Sequence, residues 1–410
     1  MSSDERSGLA LEQNYLEAGT FSFSVPEIVY GLGSASSIPD HLAAADLKRP
    51  FVLTDENLRG AGVGDGAIEA LTERGEPVVH ARNPGEPTAS EVDEIAAAAA
   101  DSECSAIVAI GGGASMDSAK LVLALLELGG SIRDHAGEAP LQGPARIPLV
   151  AVPTTSGTGS ETGMGALYID DESRQKQPVY SPHMRPSLAV SDPELTLSVP
   201  AATTAATGID ALAQALGPFT GPLRHPIVDA LSAEAIRLIV ASLPRAVADG
   251  ADLEARVAMA YGSLLSGISM NNAEAMADQF FDEVIGPRFG IPHGIVAGLV
   301  LPHVVQYNRP DTPDRTALLA DLIVEEPSGS SSERCDQAIE RLHRLNSEID
   351  LPALKDLGVP REDLPELARL TASHYGVEMG INPRELTEEG ARAVLEAAWE
   401  ERSPLDSSGS

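Results

Sequence analysis

The sequence contains little lysine, cysteine or aromatic residue for a chain of 410 residues. Lysine stands only at positions 48, 120, 176 and 355, so the other 24 of the 28 basic residues are arginine, against 61 acidic residues and a net charge of −33. Such a charge argues against nucleic acid and anionic membranes as partners. The acidic residues are spread along the whole chain, which is typical of proteins adapted to high salt, where counterions screen the repulsion.

The few cysteines and the absence of long apolar runs indicate in which cellular compartment the protein is found. Cys104 and Cys335 belong to no C-x-x-C pair and are too few for a disulfide framework, which suits a reducing environment. No apolar run approaches the length of a membrane span, and the charged start M-S-S-D-E-R-S-G lacks the apolar region of a secretory signal. We therefore expect a soluble cytoplasmic protein.

The hydrophobic pattern predicts two domains of different class, as the length of the chain favours. Short apolar runs alternate with alanine-rich helical stretches in the first half, which predicts a parallel sheet covered on both faces; the runs lie at 50–55, 77–80, 105–110 and 147–152. From about residue 200 the apolar residues follow the 3.6-residue period of helices, interrupted by a polar loop at 325–334. We predict an α/β domain over 1–198, a helical domain over 199–403 and a disordered tail over 404–410.

Two polar, glycine-rich turns follow predicted strands. A-I-G-G-G-A-S-M-D-S-A-K at 109–120 opens a helix, whose free N–H groups and positive dipole end suit a pyrophosphate. V-P-T-T-S-G-T-G-S-E at 152–161 places hydroxyl groups where a nucleotide would meet an open α/β sheet. Each stretch alone could be an ordinary turn, but the two together favour a shared nucleotide site.

Two stretches of the second half contain further polar residues in apolar surroundings. In T-G-I-D-A-L-A-Q at 207–214, Asp210 and Gln214 are four residues apart and lie on one face of a helix. They could hold a metal, cap a ligand or only pair with each other. P-H-G-I-V-A-G-L-V-L-P-H-V-V-Q-Y-N at 292–308 contains two histidines, of which His303 fits a structural residue or a helix cap.

Taken together, these stretches resemble the iron-containing (group III) alcohol dehydrogenase family, from about residue 20 to about residue 310. The resemblance implies a dinucleotide-binding α/β domain and a helical domain with the active site between them. It also implies NAD as cofactor and a small alcohol, aldehyde or keto compound as substrate. We expect the protein to form a homodimer.

The resemblance assigns the cofactor site residue by residue. The pyrophosphate loop contains Gly112, Gly113, Ala114 and Asp117, with alanine at 114 where the family more often has serine. Asp55 falls where a carboxylate can accept from the adenosine ribose hydroxyls, and because it would repel a 2′-phosphate it favours NAD over NADP. The remaining assignments are residues near the nicotinamide and its ribose: Thr154, Thr155, Thr158 and the basic residue Lys176.

The metal site departs from the family pattern. Asp210 resembles the first metal ligand, but of the three histidine ligands that follow in the family only His293 is present, with Gln214 and Gln279 in the other two places. Because an amide oxygen is a weak, neutral ligand, this set would hold iron or zinc much less tightly or not at all. Glu283 stands where the family has a histidine that faces the nicotinamide; turned inward, it could attract a harder cation. The alternative, which we favour, is that Gln214 and Gln279 hydrogen-bond across an empty site.

The sequence thus predicts an NAD(H)-dependent alcohol dehydrogenase or carbonyl reductase with a degenerate metal site. Without a metal, Lys176, an arginine or the glutamine amides would stabilise the alkoxide, and Glu283 or His293 would pass the proton. Two alternatives are a metal-independent enzyme like the maleylacetate reductases and an NAD-binding protein that has lost turnover. A lyase of the dehydroquinate-synthase kind is disfavoured by the stretch at 292–308.

Overall fold

The strands of the first half of the chain form two sheets in the computed structural model, which describes residues 20–138, 141–377 and 381–400. The larger sheet has the strand order β1-β9-β6-β4-β2-β3, with every pair of neighbours parallel. The smaller sheet has the order β5-β8-β7. The strands are β1 (Glu27–Tyr30), β2 (Pro50–Asp55), β3 (Val78–Arg82), β4 (Ala106–Gly111), β5 (Gly137–Glu138), β6 (Leu149–Pro153), β7 (Gly165–Ile169), β8 (Lys176–Tyr180) and β9 (Leu188–Ser191).

In the part of the chain that the structure describes, five helices flank the larger sheet. The central strands β4 and β6 are buried along their whole length because apolar side chains point to both faces, and helices cover both of these faces. This confirms the predicted parallel sheet. The helices are α1 (Ile38–Ala44), α2 (Glu56–Ala61), α3 (Asp65–Arg74), α4 (Ala89–Asp101) and α5 (Gly113–Leu128).

The second half of the described chain is helical, as the periodicity predicts. The buried helix α6 packs against α7, α8 and α10. The helices are α6 (Ala201–Thr220), α7 (Pro226–Ala248), α8 (Leu253–Ala273), α9 (Ala277–Phe289), α10 (Ile295–Asn308), α11 (Pro313–Ile323), α12 (Ser331–Glu348), α13 (Leu364–Val377) and α14 (Glu388–Glu400). Short 3-10 helices occupy Ser34–Ser37, Ile132–His135, Pro182–Met184, Pro193–Thr196 and Arg361–Asp363.

One predicted boundary was wrong. The polar loop expected over 325–334 ends at Ser330, because Ser330 and Glu333 form a capping box that starts α12 at Ser331. The predicted tail at 404–410 lies outside the described residues. Within the described ranges, no helix combines the length and the apolar character that a membrane crossing requires.

The two halves meet at the carboxyl edge of the larger sheet. The chain that follows β6 packs on α8, where Ser263 donates a hydrogen bond to the Gly157 carbonyl at 3.2 Å. A Cβ on Gly159 would lie 2.3 Å from the Gly267 Cα, so only glycine allows this approach. The carboxyl ends of the parallel strands therefore face the helical half, on the side where ligands usually bind to an open α/β sheet.

Candidate active site

The two glycine-rich turns lie against each other at the edge of the sheet. A Cβ on Gly113 would lie 2.8 Å from the Thr158 side chain, and one on Gly112 would lie 3.5 Å from the Thr155 hydroxyl. Gly112 precedes the first residue of α5, so the N–H groups of Gly113 and Ala114 belong to the free N-terminal turn of this helix. A side chain at Gly112 or Gly113 would fill this concave turn, which fits the pyrophosphate of a dinucleotide.

Asp117, near the start of α5, connects the two glycine-rich turns through hydrogen bonds. Its carboxylate accepts hydrogen bonds from the Ser160 hydroxyl at 2.7 Å and from the Leu167 N–H at 3.1 Å. Lys120 donates to the same Ser160 hydroxyl at 2.7 Å, and burial lowers the pKa of Lys120 to about 8. The structure thus directs Asp117 toward the second loop, a contact that its place in the first turn does not reveal.

Asp55 lies at the end of β2, on the edge that also holds the two turns. Its carboxylate accepts a hydrogen bond from the Leu58 N–H at 3.0 Å and caps the N terminus of α2. β2 is the neighbour of β4 in the sheet, so Asp55 lies beside the strand that leads into the pyrophosphate turn. The cap fixes the direction in which the chain leaves β2.

Lys176 begins β8 and is paired with a carboxylate that sequence reasoning missed. Its ammonium lies 3.1 Å from Glu86, in the loop that follows β3, and its side chain is only 11% exposed. Burial lowers the pKa of Lys176, but the carboxylates of Glu86, Asp282 and Glu283 more than offset this and raise the pKa above its ordinary value. Glu86 belongs to the α/β domain, whereas Asp282 and the half-buried Glu283 belong to α9 of the helical domain. Carboxylates of both domains therefore raise the pKa of Lys176.

In the helical domain, the side-chain amides of Gln214 and Gln279 both contact the carboxylate of Asp210. Gln214 donates to Asp210 at 2.9 Å from the same helix, and Gln279 of α9 donates to Asp210 at 3.1 Å. The Gln279 amide also lies 3.2 Å from Asp278. The two amides therefore donate to Asp210 rather than to each other. Asp210 and Gln214, which are four residues apart on one helix face, form a direct hydrogen bond.

His293 lies between two buried carboxylates. Its Nε2 is 3.8 Å from Asp210, while its Nδ1 contacts Asp282, which also accepts from the Gly294 N–H at 3.2 Å. Burial lowers the pKa of His293, but Asp282 and Asp210 outweigh it and raise the pKa to about 10. Burial raises the pKa of Asp282, but His293 and Lys176 reverse this and leave it below its ordinary value. The pair is therefore an imidazolium and a carboxylate at neutral pH.

Asp278 and Asp282 were also missed by sequence reasoning. They stand four residues apart in A-D-Q-F-F-D-E and so share a face of α9, a signal that the sequence does contain. Burial raises the pKa of Asp278 well above its ordinary value, whereas the charges of His293 and Lys176 outweigh burial at Asp282 and hold its pKa below the ordinary value. One helix face thus presents two buried carboxyl groups whose pKa values are shifted in opposite directions.

The donor set does not fit an iron or zinc centre. The amides of Gln214 and Gln279 direct N–H groups, which have no lone pair, at the Asp210 carboxylate. In the part of the chain that the structure describes, no three histidine, cysteine, aspartate or glutamate residues are arranged to hold a metal ion. We therefore derive no chemical step through a metal.

A parallel-sheet domain with a dinucleotide-type turn, packed against a helical domain with charged residues between them, is typical of two-domain nicotinamide dehydrogenases. Comparison with known proteins gives the family. Residues 26–193 match the profile of the iron-containing alcohol dehydrogenases, and residues 204–399 match the profile of the C-terminal domain of that family. The chain belongs to the iron-containing alcohol dehydrogenase family.

Individual relatives agree with this placement. The chain is 32% identical to an NAD-dependent methanol dehydrogenase from Bacillus methanolicus, over 92% of this chain and 99% of the relative. A solved 1,3-propanediol oxidoreductase superposes with a TM-score of 0.88 at 32% identity, over 93% of this chain and 100% of that one. A sulfoacetaldehyde reductase from Bifidobacterium kashiwanohense, solved with NAD+, gives 0.84 at 28% identity, over 93% and 99%. The protein is an NAD-dependent oxidoreductase of the alcohol dehydrogenase type.

Proposed function

We propose that the protein interconverts a small alcohol and its aldehyde or ketone with NAD(H), without a tightly bound iron or zinc ion. The observation that supports this is the arrangement around Asp210. Two glutamine amides occupy its oxygens, and the charged ring of His293 lies beside it where the family places a metal.

The cofactor residues divide by position. Gly112, Gly113 and Ala114 would hold the pyrophosphate at the N terminus of α5, and Asp55 would accept from the adenosine ribose. The other residues of the proposed cofactor site border the nicotinamide end: Thr154, Thr155, Thr158 and Lys176. NAD(H), when bound, supplies or accepts the hydride.

His293 is the proposed proton donor to the substrate oxygen during reduction. Asp282 engages Nδ1 and so leaves Nε2 directed toward the middle of the site. A donor held in place by a carboxylate can stabilise the developing alkoxide and then protonate it. Lys176 adds a second positive charge to the site, and the half-buried Glu283, whose charge acts on Lys176, is the alternative residue for passing the proton.

We propose that the enzyme works in a salt-rich cytoplasm and that it forms a homodimer. The net charge of −33 supports the first proposal. Apolar side chains along the edge strand β1 and its flanks support the second, because Tyr30 is 67% exposed and Leu32 is 50% exposed. A second copy of the chain would cover this edge.

The function is tested by NADH oxidation after removal of metals. Protein purified in molar KCl and dialysed against a chelator is assayed at 340 nm with a panel of aldehydes and keto acids, with metal content measured in parallel. We expect turnover at far less than one iron or zinc per chain. Activity that disappears with the metal and returns with it would overturn the proposal. NADH binding without any turnover would instead identify a protein that only binds NAD.

A further inference from the structure

Lys120 is a buried base that the proposed mechanism does not use. It lies on α5, about two helical turns beyond Gly113, and its side chain is only 1% exposed. Its ammonium donates hydrogen bonds to the Ser160 hydroxyl at 2.7 Å and to the Gly165 carbonyl at 2.9 Å. Because burial of an ammonium is costly without such partners, these bonds hold the glycine-rich turn after β6, which contains Ser160, against α5.

Ser160 connects this lysine to one of the threonines assigned to the nicotinamide end of the cofactor. The backbone N–H of Ser160 donates to the Thr158 hydroxyl at 3.3 Å. The Thr158 side chain lies directly against Gly113, where an added Cβ would come within 2.8 Å of it. A displacement of Ser160 would therefore move Thr158 relative to the start of α5.

We propose that Lys120 is a positioning residue for the nicotinamide end of NAD(H), acting through Ser160 on Thr158. This inference rests on the proposed function, in which Thr158 borders the nicotinamide while Gly112 and Gly113 hold the pyrophosphate. The two ends of the cofactor should respond differently to loss of the Lys120–Ser160 hydrogen bond. The turn after β6 should loosen, whereas the N terminus of α5 stays in place because the hydrogen bonds of its own helix fix it.

The test compares NADH with ADP, which keeps the adenosine and the pyrophosphate but lacks the nicotinamide end. Ser160→Ala removes the hydroxyl that Lys120 binds and leaves the lysine in place. We expect the Kd for NADH to rise roughly tenfold, as for the loss of one hydrogen bond to a charged group, and the Kd for ADP to change by less than about twofold. Isothermal titration calorimetry in molar KCl measures both. Equal weakening of the two ligands would overturn the proposal, as would an unchanged Kd for NADH.

Ser187→Ala is the matched control. The Ser187 hydroxyl donates to the Leu149 carbonyl at 3.0 Å and so joins two segments of the same domain, at the end of β6 opposite to the glycine-rich turn. This variant should leave the Kd values of both ligands unchanged. A rise in the Kd for NADH as large as that in Ser160→Ala would show a general effect of losing a serine hydroxyl and would count against the proposal.

A pH titration tests Lys120 itself. Burial lowers the pKa of Lys120 to about 8, while the facing groups Asp117 and Glu161 raise it and Arg185 lowers it further. Because a charged donor forms stronger hydrogen bonds than a neutral amine, the Kd for NADH should rise by up to roughly tenfold between pH 7 and pH 9. Lys120→Met should bind NADH more weakly and lack this rise; an equal rise in the variant would exclude Lys120. The comparison of NADH with ADP in Ser160→Ala keeps the proposal testable if Lys120→Met does not fold.

Binding is measured without substrate, which separates this inference from the proposed function. Suppose that no aldehyde is reduced but that Ser160→Ala weakens NADH and spares ADP: this result would end the proposed function and support the inference. Normal aldehyde reduction together with an unchanged NADH affinity in Ser160→Ala would overturn the inference and leave the proposed function standing.

Discussion

Asp282 contacts Nδ1 of His293 while Asp210 faces Nε2 of the same ring. The two carboxylates come from α9 and α6, so the imidazole joins these helices through charge. Burial alone would make His293 a neutral base, and the two carboxylates reverse this. The charge and direction of this ring therefore depend on contacts that no local stretch of sequence contains.

Removing the Asp282 carboxylate should damage both stability and activity. Asp282→Ala leaves the buried His293 with one charged partner, which should cost about 3 kcal/mol of unfolding free energy. It should also lower kcat/KM at least tenfold, because Nε2 is no longer held in direction. Urea unfolding and NADH oxidation measure the two effects. Asp278→Asn is the control: Asp278 accepts a hydrogen bond from the Gln279 amide at 3.2 Å rather than holding His293, so this variant should change kcat/KM by little. Equal losses of activity in the two variants would contradict the assignment.

Restoring the histidines should restore a metal. Gln214→His together with Gln279→His replaces both amides at Asp210 and rebuilds an aspartate and three-histidine set, so the affinity for zinc or iron should rise strongly. Each single variant should gain less, because three good ligands hold a metal less well than four. Metal analysis after dialysis reports the outcome. Stoichiometric metal in the dialysed wild-type protein would show that the amides do act as ligands.

NADH should bind more tightly than NADPH. The Asp55 carboxylate would accept from a ribose hydroxyl and would repel a 2′-phosphate. Asp55→Gly should narrow the preference for NADH, and since Asp55 also caps α2 it should lower the free energy of unfolding by about 0.3 kcal/mol. Titration of both cofactors by fluorescence decides the matter, with equal or tighter NADPH binding by the wild-type protein counting against the assignment.

Acid should destabilise the helical half through two packed histidines. His303 and His343 lie with ring centres 4.8 Å apart, and burial lowers their pKa values to about 3 and about 4. Between pH 6.5 and about 4 the unfolded chain binds more protons than the folded one, so stability falls as pH falls, by about 1 to 2 kcal/mol per histidine at pH 5. Urea midpoints at pH 7 and 5 measure this. A double variant, His303→Gln with His343→Gln, should show a smaller drop; an unchanged drop would exclude these residues.

Stability should increase with salt. The 61 acidic and 28 basic side chains leave a charge that repels itself when it is unscreened. The melting temperature should therefore fall on dilution from molar to millimolar KCl. A melting temperature that stays constant or rises on dilution would contradict the interpretation as a salt-adapted protein.

The features that the sequence predicted correctly are those that depend on neighbouring residues. Continuous apolar runs separated by helical stretches predicted the parallel sheet, and 3.6-residue stripes predicted the helical half. The boundary at Ser331 was missed because a serine-rich stretch reads as a loop until its capping box is recognised. The assignment of the site residues to cofactor and metal came from family resemblance and stays a prediction.

The sequence by itself determined the order of secondary structure, the glycines of the tight turns and the placement of Asp210 and Gln214 on one helix face, because periodicity and steric freedom act over a few residues. Only the tertiary structure decided the partners. It brought Gln279 to Asp210 across 69 residues, Lys176 to Glu86 across 90, and Asp282 to the ring of His293. These pairings follow from how the helices and the sheet edge pack, and burial there sets which groups are charged.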